Sequence, residues 1–108
     1  MRTIRIGQLG CGIVGSAVLR VLDAHASDIE ERIGARLEIA KVAVRNLGKE
    51  RDIPPGMMSL LTTDPHEVTG DPSIDLVVEV MGGIEPTRTL ILEAIGNGKA
   101  IVTANKEL

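Results

Sequence analysis

Two hydrophobic periodicities alternate along the chain, beginning with a short strand-like segment. Residues 3–9 contain Ile4, Ile6 and Leu9 and run directly into glycines, which predicts a short buried strand followed by a tight turn. Apolar residues then recur every three or four positions, as they do on one face of an amphipathic helix. These positions are Val14, Ala17, Val18, Val21 and Leu22. The first third of the chain therefore predicts strand, glycine turn and helix without a linker.

The remaining sequence repeats this alternation. Ser27 and Glu30 have the spacing of a capping box, which predicts a short second helix that Gly34 ends. Further strands are predicted at residues 37–44, 59–62, 75–80 and 100–103, with a brief helix beginning at Asp64 and a longer one from Pro86 to the pair Asn97 and Gly98. This order predicts the α/β class, as a Rossmann-like, doubly wound parallel sheet of about five strands with flanking helices.

Composition narrows the functional classes. The chain has 108 residues, enough for one domain, and its formal net charge of −3 offers no basic face for nucleic acid. Phe, Tyr and Trp are absent, so no aromatic platform for base stacking is expected. No segment approaches the roughly 20 apolar residues that cross a bilayer, so we expect no membrane partner and a cytoplasmic location.

The residues that commonly bind metals are sparse. Cys11 is the only cysteine, which excludes an intramolecular disulfide and a cysteine-based zinc site. His25 and His66 are far apart in the sequence and neither has a metal-ligand spacing. We expect both histidines to be solvated helix residues and expect no metal site.

The segment "GCGIVG", from Gly10 to Gly15, matches the dinucleotide-binding pattern G-x-G-x-x-G in the required strand-to-helix context. Gly10 would make the turn, Gly12 would let the backbone approach a pyrophosphate, and Gly15 would let the helix pack close to the strand. The alternative is a glycine-rich bend without a ligand. Cys11 is interpreted as a small residue tolerated in the turn rather than as a redox group.

The end of the second predicted strand indicates which nicotinamide cofactor is bound. NAD-preferring domains carry an Asp or Glu there, whereas an arginine accommodates the 2′-phosphate of NADP. Here Arg45 follows the strand, Glu38 lies at its opposite end, and Lys49 or Arg51 could add charge. NADP is therefore the predicted cofactor and NAD the second possibility. A solvated arginine at a strand end is the alternative reading of Arg45.

The glycine turn together with the closing stretch "VVEVMGGIEPTRTLILEAIGNGKAIVTANKEL" resembles the N-terminal nucleotide-binding domain of homoserine dehydrogenase. The resemblance covers essentially the whole chain, and "EVMGG" with "VTANK" is more specific than the glycine pattern. It implies NAD(P)-dependent interconversion of L-homoserine and L-aspartate 4-semialdehyde, a step in threonine, methionine and isoleucine synthesis. It also implies that Lys106, the lysine of "TANK", is catalytic and lies beside nicotinamide and substrate.

The same resemblance sets the expected limits of this chain. We expect residues 1–108 to form the dinucleotide-binding domain, with the substrate-binding residues in a later catalytic domain. The chain alone should then be inactive, and the full-length protein should be a homo-oligomer that binds a small-molecule substrate. The expected cofactor-binding residues are Gly10, Cys11, Gly12, Ile13, Val14, Gly15, Arg45, Met81, Gly82, Gly83 and Lys106.

Some alternatives stay open at the level of sequence. Glu79, near the end of an apolar strand, is either solvated at the strand tip or part of an active site. The domain could instead belong to another amino-acid-pathway dehydrogenase, such as dihydrodipicolinate reductase or aspartate dehydrogenase. A noncatalytic NADP-binding module is the alternative from a different functional class.

Overall fold

The computed structural model describes residues 2–105 and contains one five-stranded parallel sheet in the order β3-β2-β1-β4-β5. Its elements are β1 Arg2–Leu9, α1 Ile13–Ala24, α2 Ala26–Ile33, β2 Ala35–Ala43, a 3-10 helix Pro55–Leu60, β3 Leu61–Thr62, α3 His66–Thr69, β4 Leu76–Glu79, α4 Thr87–Gly96 and β5 Ala100–Thr103. The chain adds β2 and β3 on one side of β1 and then β4 and β5 on the other side. This strand order is that of a doubly wound sheet, so the predicted Rossmann-like fold is confirmed.

Helices cover both faces of the sheet, as alternate residues of β2 demonstrate. Ala43 belongs to a core cluster that also contains residues of α3 and α4, whereas its neighbours Val42 and Val44 pack with Leu19 of α1. Successive side chains of a strand point to opposite faces, so α1 lies on one face and α3 with α4 on the other. None of the helices within residues 2–105 is long and apolar enough to cross a membrane.

The predicted buried face of α1 is wrong. The helix buries Gly15, Ser16 and Leu19, whereas Val14 and Val21 are 56% and 53% exposed. Gly15 packs closely against the end of β1, and the helix is therefore rotated so that the face with Gly15, Ser16 and Leu19, rather than the predicted apolar stripe, meets the sheet. Contact with the sheet has therefore overridden the periodicity.

The predicted capping box is also wrong. α2 begins at Ala26 after His25, without a side-chain cap, and the Glu30 carboxylate instead accepts the Leu37 backbone N–H at 3.4 Å. His25 alone separates α1 from α2, so α2 starts from an existing helix end and needs no cap of its own. The predicted stop is confirmed, because Gly34 caps the helix with a left-handed φ of 69°.

The predicted third strand and its following helix are shifted by a few residues. β3 has only two residues, and residues 59 and 60 belong to the 3-10 helix. Asp64 Oδ1 accepts the backbone N–H of His66 at 3.0 Å, but α3 begins after Pro65, which is its N-cap, so the predicted start at Asp64 is wrong by about one residue. Glu67 does not close the cap, since its Oε2 accepts the Thr62 hydroxyl at 2.7 Å.

Candidate functional site

A groove of about 850 Å³ lies at the carboxyl ends of the strands. The loops after β1, β2, β3 and β4 line it, together with the start of α4. Ligands of open α/β sheets bind in the crevice at this end, next to the point where the strand order reverses, which here lies between β1 and β4. The groove is therefore where the fold predicts a dinucleotide.

The glycine turn forms the floor of the groove and is tightly fixed. Gly10 has a φ of +95° and donates its N–H to Ala43 O at 2.8 Å, so a side chain here would be strained. A Cβ on Gly15 would lie 2.9 Å from the Gly10 carbonyl oxygen. A Cβ on Gly12 would meet nothing within 4 Å, and Gly12 lines the groove. The turn is thus tightly packed at Gly10 and Gly15, whereas at Gly12 its backbone is accessible from the groove.

The side chain of Gln8 holds this turn in place by hydrogen bonds, and the sequence analysis did not identify it. Its side chain is fully buried, and Nε2 donates to the carbonyls of Gly10 at 3.0 Å and Gly15 at 3.1 Å. These bonds tie the end of β1 to the first turn of α1. A polar residue inside a strand, two positions before Gly10, was the available signal.

The N-terminus of α1 faces the groove without a side-chain cap. Gly12 is the N-cap, the first turn has no acidic residue, and Ser16 N–H donates to Gly12 O at 2.9 Å. The N–H groups before Ser16 have no acceptor within the helix, which favours an anion at this position. Cys11 is buried inside the turn, with Sγ 3.6 Å from Ser16 Oγ.

Positive charge is concentrated after β2. Arg45, Lys49 and Arg51 all line the groove, and no Asp or Glu is among its lining residues within 2–105. Arg51 is held by its loop, donating to Asn46 O at 2.7 Å and to Lys49 O at 3.1 Å. Glu38, which lies in the middle of β2, pairs with Arg5 at 2.5 Å. The groove is thus cationic in a chain whose formal net charge is −3.

The loop after β4 is organised by Glu79. This side chain is fully buried, and its Oε2 accepts the backbone N–H groups of Met81 at 2.7 Å and Gly82 at 3.2 Å. Its Oε1 accepts the hydroxyl of Thr103. Glu79 is therefore not solvated at the strand tip, and its described contacts order a loop of the groove.

The predicted cofactor-binding residues are only partly brought together. Those that line the groove are Gly10, Cys11, Gly12, Arg45 and Met81. The others are not part of its lining: Ile13 and Val14 are exposed on α1, Gly15 is buried beneath the turn, and Gly82 and Gly83 are exposed after β4. Lys106 lies outside the described residues. Asn105, the last described residue, donates from Nδ2 to Gly83 O at 2.5 Å.

The segment after β3 adds lining residues that the sequence analysis did not identify, namely Thr63 and Pro65 of the loop and His66, the first residue of α3. His66 is exposed, as expected of a solvated residue, but its Nδ1 lies 2.9 Å from Glu93 Oε1. The hydrogen bond and the charge of Glu93 raise the pKa of His66, while hydrogen bonds from Thr69 and His66 lower the pKa of Glu93. The rule that ligands meet the carboxyl ends of parallel strands could have located this loop.

Comparison with known proteins agrees with this geometry. The family model described as "Homoserine dehydrogenase, NAD binding domain" matches residues 10–108. The homoserine dehydrogenase of Bacillus subtilis is 40% identical over 110 residues and that of Mycobacterium leprae 42% over 107 residues. These alignments cover 100% and 99% of this chain. The chain belongs to the homoserine dehydrogenase NAD-binding domain family.

Solved structures of homoserine dehydrogenases share the fold. The enzyme from Thiobacillus denitrificans is 44% identical with a TM-score of 0.86, and that from S. aureus at pH 6.5 is 38% identical with a TM-score of 0.90. Both matches cover 100% of this chain but only 25% and 27% of those chains. This chain thus spans about a quarter of the length of the homoserine dehydrogenases it matches. These relatives favour homoserine dehydrogenase over the alternative dehydrogenases.

Proposed function

We propose that this chain binds NADP(H) in the groove and serves as the cofactor-binding domain of a homoserine dehydrogenase. One observation carries the proposal. The uncapped N-terminus of α1 and the positively charged side chains after β2 line the same groove, and no carboxylate is among its described lining residues. Both features face one groove at the carboxyl ends of the strands. Together they match a ligand that carries a pyrophosphate and a further phosphate.

The pyrophosphate would lie over the glycine turn. The free N–H groups at the start of α1 and the positive end of the helix dipole favour an anion there. Gly12 supports this position, because the space where its side chain would project is empty and opens into the groove. Gln8 and Gly15 would keep the turn in the geometry that the phosphates require.

The 2′-phosphate would lie against the loop after β2. Arg45 has no hydrogen bond or ion pair to any residue within 2–105, so its guanidinium can form a bidentate pair with a phosphate. Lys49 and Arg51 line the same part of the groove and would add to the positive field. NAD would leave these cations without an anionic partner, which supports the preference for NADP.

The nicotinamide would lie towards Met81, which lines the groove after β4, and so on the side of the sheet where β5 follows β4. When bound, the cofactor supplies hydride transfer between its nicotinamide and the carbon that carries the substrate oxygen. We propose that Lys106, which follows Asn105, hydrogen-bonds that oxygen and stabilises the charge that develops as its proton leaves. The substrate pair would be L-homoserine and L-aspartate 4-semialdehyde. The other substrate contacts would come from the part of the protein that corresponds to the remaining three quarters of its relatives' chains. We propose that this larger protein is a cytoplasmic homo-oligomer.

Calorimetric titration of the 108-residue chain with NADP and with NAD tests the cofactor assignment. We expect NADP to bind at least about tenfold more tightly, and Arg45→Ala to remove most of this difference by deleting the phosphate partner. Arg36→Ala is the matched control, because Arg36 is an exposed arginine near the other end of β2. Equal affinities for the two dinucleotides would contradict the NADP preference, and absence of binding to either would contradict the proposed function.

A further inference from the structure

We propose that the imidazole of His66 is the adenine-binding group of the groove, so that the purine base stacks on its ring. This inference rests on the proposed function and adds the residue that would recognise the base. Four features of the described residues support it: the position of His66, the absence of other rings, the way the imidazole is held, and the aliphatic lining around it.

The position follows from the pairing of β2 with β3. Ala43 is in register with Thr62, and Val44 donates its N–H to Thr62 O at 2.8 Å, so the loops after these strands begin side by side. One loop supplies Arg45, the other leads into α3, whose first residue is His66, and both residues line the groove. In NADP the adenine and the 2′-phosphate are carried by the same ribose. A phosphate bound at Arg45 therefore brings the base to the wall that contains His66.

The groove offers no other ring for this base. The sequence has no Phe, Tyr or Trp. Its only other histidine, His25, lies between α1 and α2 and is not part of the groove lining. Stacking of a base on an aromatic side chain contributes substantially to nucleotide affinity, because every base has a π-face. Within residues 2–105, His66 is thus the only lining residue that can provide this contact.

The ring is held in place before any ligand arrives. Glu93 Oε1 lies 2.9 Å from His66 Nδ1 and also accepts the Thr69 hydroxyl at 2.5 Å, while Asp64 Oδ1 accepts the His66 backbone N–H at 3.0 Å. These contacts come from α4, α3 and the preceding turn. A side chain already fixed in one rotamer loses less conformational entropy when a ligand binds, and its affinity is correspondingly higher.

The surroundings of His66 also suit a purine. Pro65 and Leu90 line the same groove and provide apolar surface, and Thr63 adds a hydroxyl group, whereas the hydroxyl of Thr89 is donated to Glu85. Because Nδ1 is engaged by Glu93, Nε2 is the ring nitrogen that remains for a polar contact. Glu93 and Thr69 act through His66 and are positioning residues.

The test measures the affinity of the 108-residue chain for adenosine 2′,5′-bisphosphate, which carries only the adenosine half of NADP, and for NADP itself. We expect His66→Ala to weaken both by about tenfold, as expected for the loss of one stacking contact. His66→Phe keeps a ring and should stay within about threefold of the wild type. His25→Ala, a histidine variant outside the groove, should bind as the wild type does. Thermal unfolding of each variant shows whether the fold is preserved.

Proton NMR provides the readout that a merely structural role would not change. On addition of adenosine 2′,5′-bisphosphate, the His66 ring protons should shift upfield because they enter the ring current of the stacked base. The inference fails if His66→Ala binds as tightly as the wild type, if His66→Phe is as weak as His66→Ala, or if the ring protons do not shift. In those cases binding of NADP by the wild type leaves the proposed function intact. A wild-type chain that binds neither nucleotide contradicts both.

Discussion

The carboxylate of Glu79 accepts the hydroxyl of Thr103 and thereby joins the ends of β4 and β5 beneath the groove. The same side chain accepts two backbone N–H groups of the loop after β4. A fully buried carboxylate is costly unless its oxygens are hydrogen-bonded, and here three donors satisfy it. Glu79 thus couples the loop that contains Met81 to the strand that leads to Asn105.

Glu79→Ala should lower the free energy of unfolding by about 3 kcal/mol, because it leaves buried N–H groups without an acceptor and creates a cavity. Glu79→Gln should cost only about 1 kcal/mol, since its oxygen can accept the backbone N–H groups while its amide donates to Thr103. Urea denaturation measures both values. Glu31→Ala, an exposed helix acid, is the control. Equal losses for the Ala and Gln variants would contradict this account of the loop.

Gly12→Val should reduce the affinity for NADP by about tenfold or more while leaving the melting temperature close to that of the wild type. The new side chain meets no protein atom at its Cβ and would project into the groove that the pyrophosphate needs. Calorimetry and thermal unfolding measure the two quantities separately. Unchanged affinity in the folded variant would place the phosphates elsewhere.

Gly15→Val, the same substitution three positions later, should differ from Gly12→Val by lowering the stability of the fold. Its Cβ would lie 2.9 Å from the Gly10 carbonyl oxygen and 2.9 Å from Gln8 Nε2, so α1 would have to move away from β1. Overpacking of this kind costs about 1–3 kcal/mol. Urea denaturation should show this loss of stability, and a variant as stable as the wild type would contradict the close packing at Gly15.

The His66 and Glu93 pair predicts a defined pH dependence. Because Glu93 and Asp64 raise the pKa of His66 above 6.5, its contribution to stability is complete below pH 6.5 and disappears as the pH rises through the folded-state value. The pKa of Glu93 lies below 4.5, so its contribution is complete above pH 4.5 and disappears as the pH falls through its folded-state value. The pair therefore contributes most between these two limits.

NMR titration of the His66 ring measures this effect directly. Glu93→Gln removes the charge and should bring the pKa of His66 down from its wild-type value. The difference in melting temperature between wild type and Glu93→Gln should also be largest between pH 4.5 and 6.5. A His66 pKa that does not respond to Glu93→Gln would mean that the two side chains do not pair in solution.

In a homoserine dehydrogenase that contains this chain, Lys106→Ala should lower kcat by about 10²-fold or more, the usual effect of losing a positioned acid–base or charge-stabilising group. The affinity for NADP should change less, because the glycine turn and Arg45 remain. Steady-state kinetics at saturating cofactor and a separate binding titration measure the two effects. Arg88→Ala, an exposed change outside the groove lining, serves as the control. Full activity of Lys106→Ala would remove Lys106 from the mechanism.

The sequence by itself determined the class of fold and the place of the glycine turn. The strand before Gly10, the helix after Gly15 and the later strands are local patterns that each depend on residues close together in the chain. The order of elements along the chain therefore agrees with the prediction, and Gly34 ends α2 as expected, although β3 and α3 are shifted by a few residues. Arg45 could be located in the same way, because it lies two residues after the last residue of β2.

Only the tertiary structure decided which side chains meet across the sheet. The rotation of α1 depends on how closely Gly15 approaches β1, a contact that overrides the apolar stripe. Glu79 and Thr103 are separated by 24 residues, and His66 and Glu93 by 27, so neither pair leaves a local signal. Such pairs form because parallel strands bring their carboxyl ends, and the loops that follow them, to one edge of the sheet, where distance along the chain no longer matters.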